Sequence, residues 1–495
     1  MPILIVVNNP KNWAWHIPGV EVVSAKAYLT EPGYSELRNA KVFNLSRDYA
    51  YQTLGYYVSL LAEARGHKPM PSVNTIQDLK SWPLVRFVSE DLEQLIQKSL
   101  NPIQSNEFTL NIYFGRSMAQ RHTSLSLNLF NAFPAPLLQA RFLRKGKKWQ
   151  LQSLRPIGAK EIPYEHREFM TEMAEQYFAG ARRRTRKRTA VRYDMAILYD
   201  PTERISNPSN NRAINKFIKA GEAIGLRSEV ITKDDYGRLA EFDALFIRQT
   251  TNVNHYTYRF ARRAQAEGLV VVDDPESILK CTNKVYLAEL LNRMKIPAPK
   301  TVILKKSKVE PSIGQLGFPC ILKQPDSAFS QGVVKVDSEA EFMLESTRLL
   351  EKSDLIIAQE FLPTDFDWRV GVFDRQILYA CKYYMAYRHW QVVHRGSSGK
   401  VREGSGKAVP LDEVPPYVLK TALKAANRIG SGLYGVDLKQ IGNRCYVIEV
   451  NDNPSIDSGV EDTVLKDKLY RRIMQIFLDR IEKRKASLHH ENGDH

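Results

Sequence analysis

Short apolar runs alternate with amphipathic segments along the first third of the chain. The opening "MPILIVVNNP" has a five-residue apolar run and predicts a first β-strand. A helix is predicted in "YAYQTLGYYVSLLAEARGHKPMPS", with Leu54, Val58 and Leu61 on one apolar face and a stop at Gly66. "FTLNIYFG" predicts another strand, and "ARFLRKGKKWQLQSL" predicts a hairpin that turns at residues 145–147. Residues 1–165 are therefore predicted to form a mixed α/β domain.

A second stretch alternates strands and helices in regular steps. The predicted strands are "MAILYD", "SEVIT", "ALFIRQT" and "LVVVDDP", and the predicted helices are "NNRAINKFIKAGEAIG" and "HYTYRFARRAQAEG". Elements of this length predict a small, mostly parallel, Rossmann-like α/β sheet over residues 194–275. The stretch lacks a GxGxxG turn, so we do not predict a dinucleotide site in it.

The composition is that of a globular protein. The 495 residues are 43% hydrophobic and 25% charged, and the length predicts two to four domains. No apolar run approaches the roughly 20 residues of a membrane-spanning helix, and the N-terminus lacks the pattern of a secretory signal. The 4 cysteines are scattered without CxxC spacing, which indicates buried reduced thiols. These features predict a cytoplasmic protein that does not bind a membrane.

The net charge of +16 suggests a polyanionic ligand or partner. Part of this charge lies in "ARRRTRKRTAVR", within a linker predicted over residues 166–193. The run is either a solvated linker or an electrostatic site for ribosomal or other RNA. At the other end, a helix is predicted in "LYRRIMQIFLDRIEKRK", and residues 486–495 are expected to form a disordered tail.

Oxygen-bearing side chains follow an apolar strand in "LYGVDLKQIGNRCYVIEVN". If the two strands of this segment turn around Asn443, Asp437 lies opposite Glu449, and both share one face with Asn451. The other, apolar face is predicted to hold Val436, Leu438, Ile448 and Val450. Two carboxylates and an amide suit Mg²⁺, although a polar, solvated sheet face explains the same pattern about equally well.

Two further segments carry candidate nucleotide ligands. "GFPCILKQPDSAFSQGVVKV" joins a strand that holds Lys323 to a loop with Ser327, Ser330 and Gly332, which could bind phosphates but also fits an ordinary hairpin. "LIIAQEFLPTDFDWRVGVFDRQILYACKYY" offers the backbone of residues 360–362 to an adenine ring and Asp367 to ribose hydroxyls. Arg369 and Lys382 in the same segment add positive charge.

The order of these segments resembles that of ATP-grasp enzymes. It runs from "DDPESILKCTNKVYLAELLNRMKIPAPKT" through "FPCILKQP", "SQGVVKV", "AQEFL" and "DWRVGVF" to "YGVDLKQ" and "YVIEVNDNPSIDSG". Within that superfamily the chain resembles RimK-like carboxylate–amine ligases, and "YQTLGYYVSLLAEARGHKPMPS" resembles the domain that precedes such modules in one bacterial subgroup. The resemblance implies an α/β fold with an N-terminal α/β domain, a Rossmann-like pre-ATP-grasp domain and a two-subdomain ATP-grasp module. That module would span residues 276–485, with a lid subdomain at about 300–362.

The resemblance also implies residue roles. These are ATP binding by Lys284, Lys323, Ser327, Ser330, Gly332, Gln359, Glu360, Phe361, Leu362 and Asp367; metal binding by Asp437, Glu449 and Asn451; and catalysis by Arg369, Lys382 and Arg395. Asn453 and Ser455 stand where the family often has NxxPG. Two departures concern the amino-acid substrate. Gln391, Val392 and Val393 replace an Arg-Ser-Asn segment, and Tyr383 replaces a basic residue.

The implied activity is ATP-dependent ligation of a carboxylate to an amine through an acyl phosphate. The implied cofactors are ATP and two Mg²⁺ ions, with Mn²⁺ as an alternative, and the substrates are an amino acid and a carboxylate, glutamate included. The acceptor is a small molecule, a peptide or a protein, a ribosomal one included, and a homo-oligomer is compatible with the sequence. The competing hypothesis is a ribosome- or RNA-associated binding protein, which RNA binding without ATP turnover would support.

Overall fold

The computed structural model describes residues 2–13, 17–37, 39–146, 148–180, 191–202, 207–306, 309–312, 315–326, 332–386, 393–395 and 401–490. No helix in these ranges is both long and apolar enough to cross a lipid bilayer.

The first domain combines a parallel and an antiparallel sheet. The parallel sheet has the order β2–β1–β3–β4 and contains β1 (Ile3–Val7), β2 (Glu21–Ser24), β3 (Lys41–Asn44) and β4 (Lys68–Met70). The antiparallel sheet contains β5 (Glu107–Tyr113), β6 (Leu137–Lys145) and β7 (Lys148–Pro156). The helices are α1 (Ala25–Thr30), α2 (Pro32–Ser35), α3 (Leu54–Ala64), α4 (Val73–Lys80), α5 (Trp82–Asp91), α6 (Glu93–Leu100), α7 (Thr123–Ala132) and α8 (Arg167–Gly180). The predicted first strand is confirmed, and so is the predicted hairpin, in which Lys145 pairs with Lys148.

Helix α3 forms where it was predicted, but it buries a different face. Val58 is buried together with the small residues Gly55, Ser59 and Ala62, whereas Leu54 is 47% exposed. A Cβ atom on Gly55 would lie 2.3 Å from the backbone oxygen of Asp48. The preceding loop therefore packs so closely against α3 that small side chains, rather than leucines, must face it.

The linker predicted over residues 166–193 is wrong in its first half. Residues 167–180 form α8, and Met170, Ala174 and Phe178 are buried in the core of the first domain. Their i, i+4, i+8 spacing places them on one face of the helix, which explains why this segment packs rather than connects. Residues 181–190, which hold most of the predicted basic run, lie outside the described residues.

The second domain is the parallel α/β unit that the sequence predicts. Its sheet has the order β11–β10–β8–β9, with all neighbours parallel. The elements are β8 (Tyr193–Leu198), α9 (Asn211–Glu222), β9 (Leu226–Ile231), β10 (Ala244–Ile247), α10 (Tyr256–Ala266) and β11 (Val270–Val272). A 3-10 helix at Lys233–Glu241 precedes β10.

Three antiparallel sheets lie in the rest of the described chain, and the smallest of them is the two-stranded sheet β18–β19. The lid sheet has the order β12–β15–β13–β14, and the second sheet has the order β20–β17–β16–β21–β22. The elements are α11 (Pro275–Thr282), α12 (Lys284–Arg293), β12 (Thr301–Leu304), β13 (Cys320–Lys323), β14 (Val333–Val336), α13 (Glu339–Leu350), β15 (Ile356–Glu360), β16 (Phe366–Phe373), β17 (Gln376–Tyr384), β18 (Val393–Arg395), β19 (Val401–Glu403), β20 (Gly406–Val409), α14 (Pro416–Ile429), β21 (Leu433–Ile441), β22 (Arg444–Asp452) and α15 (Asp467–His490).

The last helix continues into the segment predicted as a disordered tail. Helix α15 ends at His490, and residues 486–490 contain neither glycine nor proline to stop it. Residues 491–495 lie outside the described part of the chain. Ile473, Phe477 and Ile481 of α15 pack against the second domain and the β16–β17 strands in one apolar cluster.

A buried set of charges joins the first two domains. Lys41 on β3 donates to Glu241 at 2.7 Å, and both side chains are almost fully buried. Lys68 and Lys485 lie 3.4 and 3.2 Å from the buried carboxylate of Asp243. Helix α15 therefore reaches the same junction, and opposite charges from three parts of the chain stabilise it.

Candidate active site

The β21–β22 hairpin brings the predicted metal ligands together through a β-bulge. Ile441 pairs with Arg444, so the turn has two residues, and Gly442 adopts a left-handed conformation with φ of +55°. Such a turn alone would place Asp437 opposite Ile448. The register shifts by one residue between Asp437 and Leu438, and Asp437 consequently pairs with Glu449, as predicted.

The same bulge corrects the predicted apolar face of the hairpin. Val447 and Val450 are fully buried in the core, whereas Ile448 is only partly buried. Ile448 instead lines a cavity of about 290 Å³ between the hairpin and the lid sheet. The sequence analysis predicted Ile448 in the core because it assumed that side chains alternate strictly between the two faces. The bulge interrupts that alternation.

Each candidate metal-binding carboxylate contacts a cation of the chain. Arg369 donates to both oxygens of Asp437, from Nε at 2.7 Å and from Nη2 at 2.8 Å. Asn451 donates from Nδ2 to Asp437 Oδ2 at 3.0 Å, and Lys284 Nζ lies 3.0 Å from Glu449 Oε1. The three predicted ligands thus form one polar cluster with two positive charges.

The pKa values of this cluster reflect burial and charge in different proportions. Burial raises the pKa of Asp437 above its usual value despite the adjacent guanidinium group. Burial also acts to raise the pKa of Glu449, but the charges of Lys284 and Lys323 outweigh it and hold that pKa below its usual value. Glu449 is therefore an anion at neutral pH.

The two candidate phosphate-binding lysines reach the cleft from different elements. Lys323 ends β13 and donates from Nζ to Gln359 Oε1 at 2.7 Å. Burial, together with nearby positive charge that includes Lys284, lowers the pKa of Lys323 to about 8. Lys284 begins α12, and its backbone N–H donates to the Pro325 carbonyl at 2.9 Å, which holds the helix start against the lid.

The cavity lies between these lysines and the hairpin. Its walls include Lys284, Lys323, Ile303, Ile357, Gln359 and Ile448. Apolar side chains thus surround its interior while ammonium groups and a carboxamide stand in its wall, a combination suited to a flat polar base next to anionic groups.

The remaining candidate nucleotide ligands lie along β15 and the adjoining loops. The Glu360 N–H donates to the Lys300 carbonyl at 2.9 Å, so this donor is already used in a backbone hydrogen bond. Phe361 lies under the Lys335 ammonium group at 5.3 Å, Leu362 is buried, and Gly332 has a φ of +67°. Ser327 and Ser330 lie outside the described residues, as does the side chain of Arg395.

The structure does not bring Lys382 into the site. Lys382 pairs with Trp368, and its ammonium group lies 4.4 and 5.0 Å from the rings of Phe366 and Trp368. Trp368 faces the core under α14, on the sheet face opposite to Arg369. Lys382 therefore lies on the sheet face that points away from the cleft, and its catalytic role stays a prediction.

Two residues near the site face, Lys439 and Glu461, were missed by the sequence analysis, which named Tyr383 only as the replacement of a basic residue. Lys439 lies two positions after Asp437 on β21 and pairs with Asp367 at 2.6 Å. Tyr383 lies beneath the Arg369 guanidinium group at 4.8 Å, and its hydroxyl donates to the buried Glu461. The two-residue spacing from Asp437 was the signal that could have identified Lys439.

The segment after the hairpin is tied to the second domain. The fully buried Arg248 donates to Asn453 Oδ1 at 2.8 Å and to the carbonyls of Pro208 and Pro454 at 2.6 and 2.8 Å. The Tyr379 hydroxyl donates to the Ser455 carbonyl at 3.0 Å. Asn453 and Ser455 therefore join the hairpin to β10 and β17.

Two protein-family models match the chain. Residues 25–173 match the family model of the RimK-like ATPgrasp N-terminal domain, and residues 281–473 match that of the RimK-like ATP-grasp domain. The chain is an ATP-grasp ligase. It belongs to the RimK-like family and carries that family's N-terminal domain.

Individual named relatives and solved structures have low sequence identity to this chain. The chain is 26% identical over 237 residues to "Probable alpha-L-glutamate ligase 1" of Shewanella denitrificans, an alignment covering 46% of this chain and 76% of that protein. It is 25% identical over 285 residues to "Probable alpha-L-glutamate ligase 2" of Pseudoalteromonas atlantica, covering 53% and 90%. The D-alanine–D-alanine ligase of Bacillus anthracis shares 16% identity with a TM-score of 0.47, covering 60% of this chain and 99% of that one. The RimK domain ATP-grasp protein of Sphaerobacter thermophilus shares 18% identity with a TM-score of 0.43, covering 57% and 98%.

Proposed function

We propose that this ATP-grasp ligase joins an amino acid to an acceptor by a peptide or isopeptide bond. The carboxylate partner takes the γ-phosphoryl group of ATP to form an acyl phosphate, the amine nitrogen attacks the acyl carbon, and phosphate leaves. The relatives named probable alpha-L-glutamate ligases make glutamate the first amino acid to test. The acceptor is a small molecule, a peptide or a protein.

One observation carries the proposal: lysines, an arginine and paired carboxylates converge on one cleft. Lys284 and Lys323 come from α12 and the lid sheet, while Arg369, Asp437 and Glu449 come from neighbouring strands of the second sheet. Buried positive charge next to carboxylates is what a triphosphate and its metal ions require. A polar sheet face open to solvent would not bury these groups or pair each carboxylate with a cation.

The oxygen ligands fit a divalent metal ion. Asp437 and Glu449 supply carboxylate oxygens, and Asn451, which donates its Nδ2 to Asp437, retains its Oδ1 as an acceptor. Among the described residues no cluster of three or more His, Cys, Asp or Glu side chains could hold an ion, so phosphate oxygens and water would complete the coordination. Mg²⁺, or Mn²⁺ in its place, would neutralise the charge that develops on the transferred phosphoryl group. We assign two such ions to this set.

The remaining roles in binding and catalysis are assigned to residues of the cleft. Lys284 and Lys323 bind the phosphates, and Arg369, held by Asp437, presents fixed positive charge where an oxyanion would lie. Glu360 ends β15 in the lid sheet, and Phe361 and Leu362 follow it, so that all three would border the base. Closure of the lid over the cleft would exclude water that would otherwise hydrolyse the acyl phosphate. No nucleophilic side chain is required, because positioning and electrostatics lower the barrier.

The alternative function, an RNA- or ribosome-associated binding protein, gains no support. It rests on the basic run of residues 181–192, of which 181–190 lie outside the described residues. Arg192, the last residue of the run and its only described arginine, pairs with Glu482 at 2.6 Å, and both side chains are exposed.

The proposal is tested by screening donors and acceptors. The protein is incubated with Mg²⁺, ATP and single amino acids, glutamate first, each combined with small carboxylates, amines and peptides. Phosphate release and a mass equal to the condensed product, one water lighter than the two reactants, are expected for a productive pair. A protein that binds ADP but forms no condensed product with any pair would contradict ligation.

The control variant isolates the metal-binding carboxylate from general effects of charge removal. Glu449→Gln should reduce phosphate release by about 100-fold or more. Glu90→Gln makes the same chemical change in an exposed i, i+4 pair with Arg86 on α5 and should leave phosphate release at the wild-type rate.

A further inference from the structure

A closed hydrogen-bonded triad lies on the site face of the second sheet. Lys439 Nζ donates to Asp367 Oδ1 at 2.6 Å and to Thr364 Oγ1 at 2.7 Å, and the Thr364 hydroxyl donates to the same Asp367 oxygen at 3.1 Å. The threonine hydroxyl thus accepts one bond and donates another, which closes the triad. The side chains of Lys439 and Asp367 are only 13% and 20% exposed.

The triad belongs to the same surface as the metal-binding cluster. Asp367 and Arg369 alternate on β16, and Asp437 and Lys439 alternate on β21, so the four side chains share one face. Asp367 and Lys439 also influence the buried Lys323 electrostatically from across the cleft. The pair therefore stands within the region that a nucleotide would occupy.

We propose that Lys439 is a positioning residue that makes the site select ribonucleotides. This inference rests on the proposed function, because it requires a nucleotide in the cleft. Lys439 and Thr364 hold the Asp367 carboxylate by Oδ1, and Oδ2 has no hydrogen-bond partner within the described part of the chain. A carboxylate fixed by one oxygen presents the other in a constant direction, where it accepts hydrogen bonds from the sugar hydroxyls.

The ammonium group also removes an electrostatic penalty. A lone carboxylate beside a triphosphate would repel it, whereas a carboxylate paired with Lys439 contributes no net negative charge. Asp367 can therefore stay ionised next to the phosphates and still accept strong, charge-assisted hydrogen bonds. Loss of Lys439 should both free the carboxylate to rotate and restore the repulsion.

The test compares nucleotides that differ only at the sugar. Isothermal titration calorimetry with Mg²⁺ measures the Kd of ADP, 2′-deoxy-ADP and 3′-deoxy-ADP, which needs no knowledge of the ligation substrates. The wild type should prefer ADP over at least one deoxy form by roughly 10- to 100-fold, as expected for a hydrogen bond to a charged group. Lys439→Met should lose most of that preference, chiefly through weaker ADP binding.

Further variants separate positioning from a structural role. Lys439→Arg should restore the preference in part because it keeps the charge. Asp367→Asn should abolish the preference, and adding Lys439→Met to it should reduce the preference no further, since both act through one carboxylate. Lys420→Met, which removes an exposed lysine from α14, is the matched control and should keep the wild-type ratio.

Three results would overturn the inference. A wild-type protein with equal affinity for ADP and both deoxy forms has no sugar selectivity to explain. If Lys439→Met keeps the wild-type ratio of Kd values between ADP and its deoxy forms, Lys439 has only a structural role. The ligase proposal would be unaffected by that result. If the wild type binds no nucleotide, the proposed function itself fails. Should Lys439→Met not fold, as judged by circular dichroism, Asp367→Asn and Lys439→Arg still decide the question.

Discussion

Replacing Glu241 by glutamine should destabilise the junction between the first and second domains. Glu241 accepts from Lys41 at 2.7 Å, its carboxylate also accepts from the Tyr177 hydroxyl, and Arg238 lies 3.4 Å away. The change leaves Lys41 charged and nearly fully buried with no carboxylate opposite it. Removing one partner of a buried ion pair costs about 3–5 kcal/mol, because the remaining charge has no compensation.

The pKa of Glu241 gives a second route to the same magnitude. Burial acts to raise this pKa, but Lys41 and Arg238 outweigh it and lower the pKa from 4.5 to about 2. At about 1.4 kcal/mol for each pH unit, ionisation of Glu241 favours the folded state by about 3 kcal/mol. Because the folded pKa is the lower one, this contribution is complete above about pH 4.5 and is lost as the pH falls towards 2.

The assay is urea-induced unfolding followed by circular dichroism and tryptophan fluorescence. At pH 7, Glu241→Gln should lower the free energy of unfolding by about 3 kcal/mol or more, and the variant should lack the extra acid sensitivity of the wild type between pH 4.5 and 2. Lys41→Met combined with Glu241→Gln should be more stable than Glu241→Gln alone, since no lone charge remains buried. Glu90→Gln, in a pair whose side chains are 70% and 62% exposed, should change stability by less than about 0.5 kcal/mol.

Two outcomes would refute this reasoning. The first is a loss of less than about 1 kcal/mol in Glu241→Gln, below the range for a broken buried pair. The second is strict additivity of the Lys41 and Glu241 substitutions, which would mean that the two charges do not interact.

The remaining predictions concern the cleft. Glu449→Gln should reduce ATP-dependent phosphate release by about 100-fold or more, because it removes a metal-binding oxygen, and wild-type turnover in this variant would contradict the assignment. Since the pKa of Lys323 is lowered to about 8, its charge is lost as the pH rises, and calorimetry should find ADP binding roughly tenfold weaker at pH 9 than at pH 7. Lys323→Gln should not show that step, and an equal step in both proteins would assign it to another group. Lys382→Gln should keep ATP-dependent turnover, because its ammonium group lies against two aromatic rings on the far face of the sheet, and a large loss would return Lys382 to the site.

Local pattern predicted most elements of the fold. Alternating strands and helices gave the parallel sheet of the second domain, and the paired strands around residues 442–443 gave the hairpin with Asp437 opposite Glu449. These features depend on side-chain periodicity and on the residues of the turn, both of which are local properties of the sequence. The order of the segments added the family and the candidate residues.

Local pattern failed where a backbone irregularity or a packing contact decided the outcome. The bulge at Asp437 moved Ile448 from the core to the cleft, although strict alternation predicts the reverse. Lys382 was assigned to the site by its place in the segment, but strand pairing put it on the other face. Helix α8 was mistaken for linker although Met170, Ala174 and Phe178 have helical spacing, because only the packing of that face against the first domain distinguishes the helix from a connection.

The sequence by itself determined which chemistry the chain carries: two lysines, paired acids and an amide in the order of an ATP-grasp ligase. Only the tertiary structure decided which of these groups meet, and it added Lys439 as the partner of Asp367 and Lys41 as the partner of Glu241. Lys41 and Glu241 lie 200 positions apart in the chain, and Asp367 and Lys439 lie 72 apart. The physical reason is that ion pairs act over a few ångströms in space, and periodicity along one segment contains no information about which distant segment will pack against it.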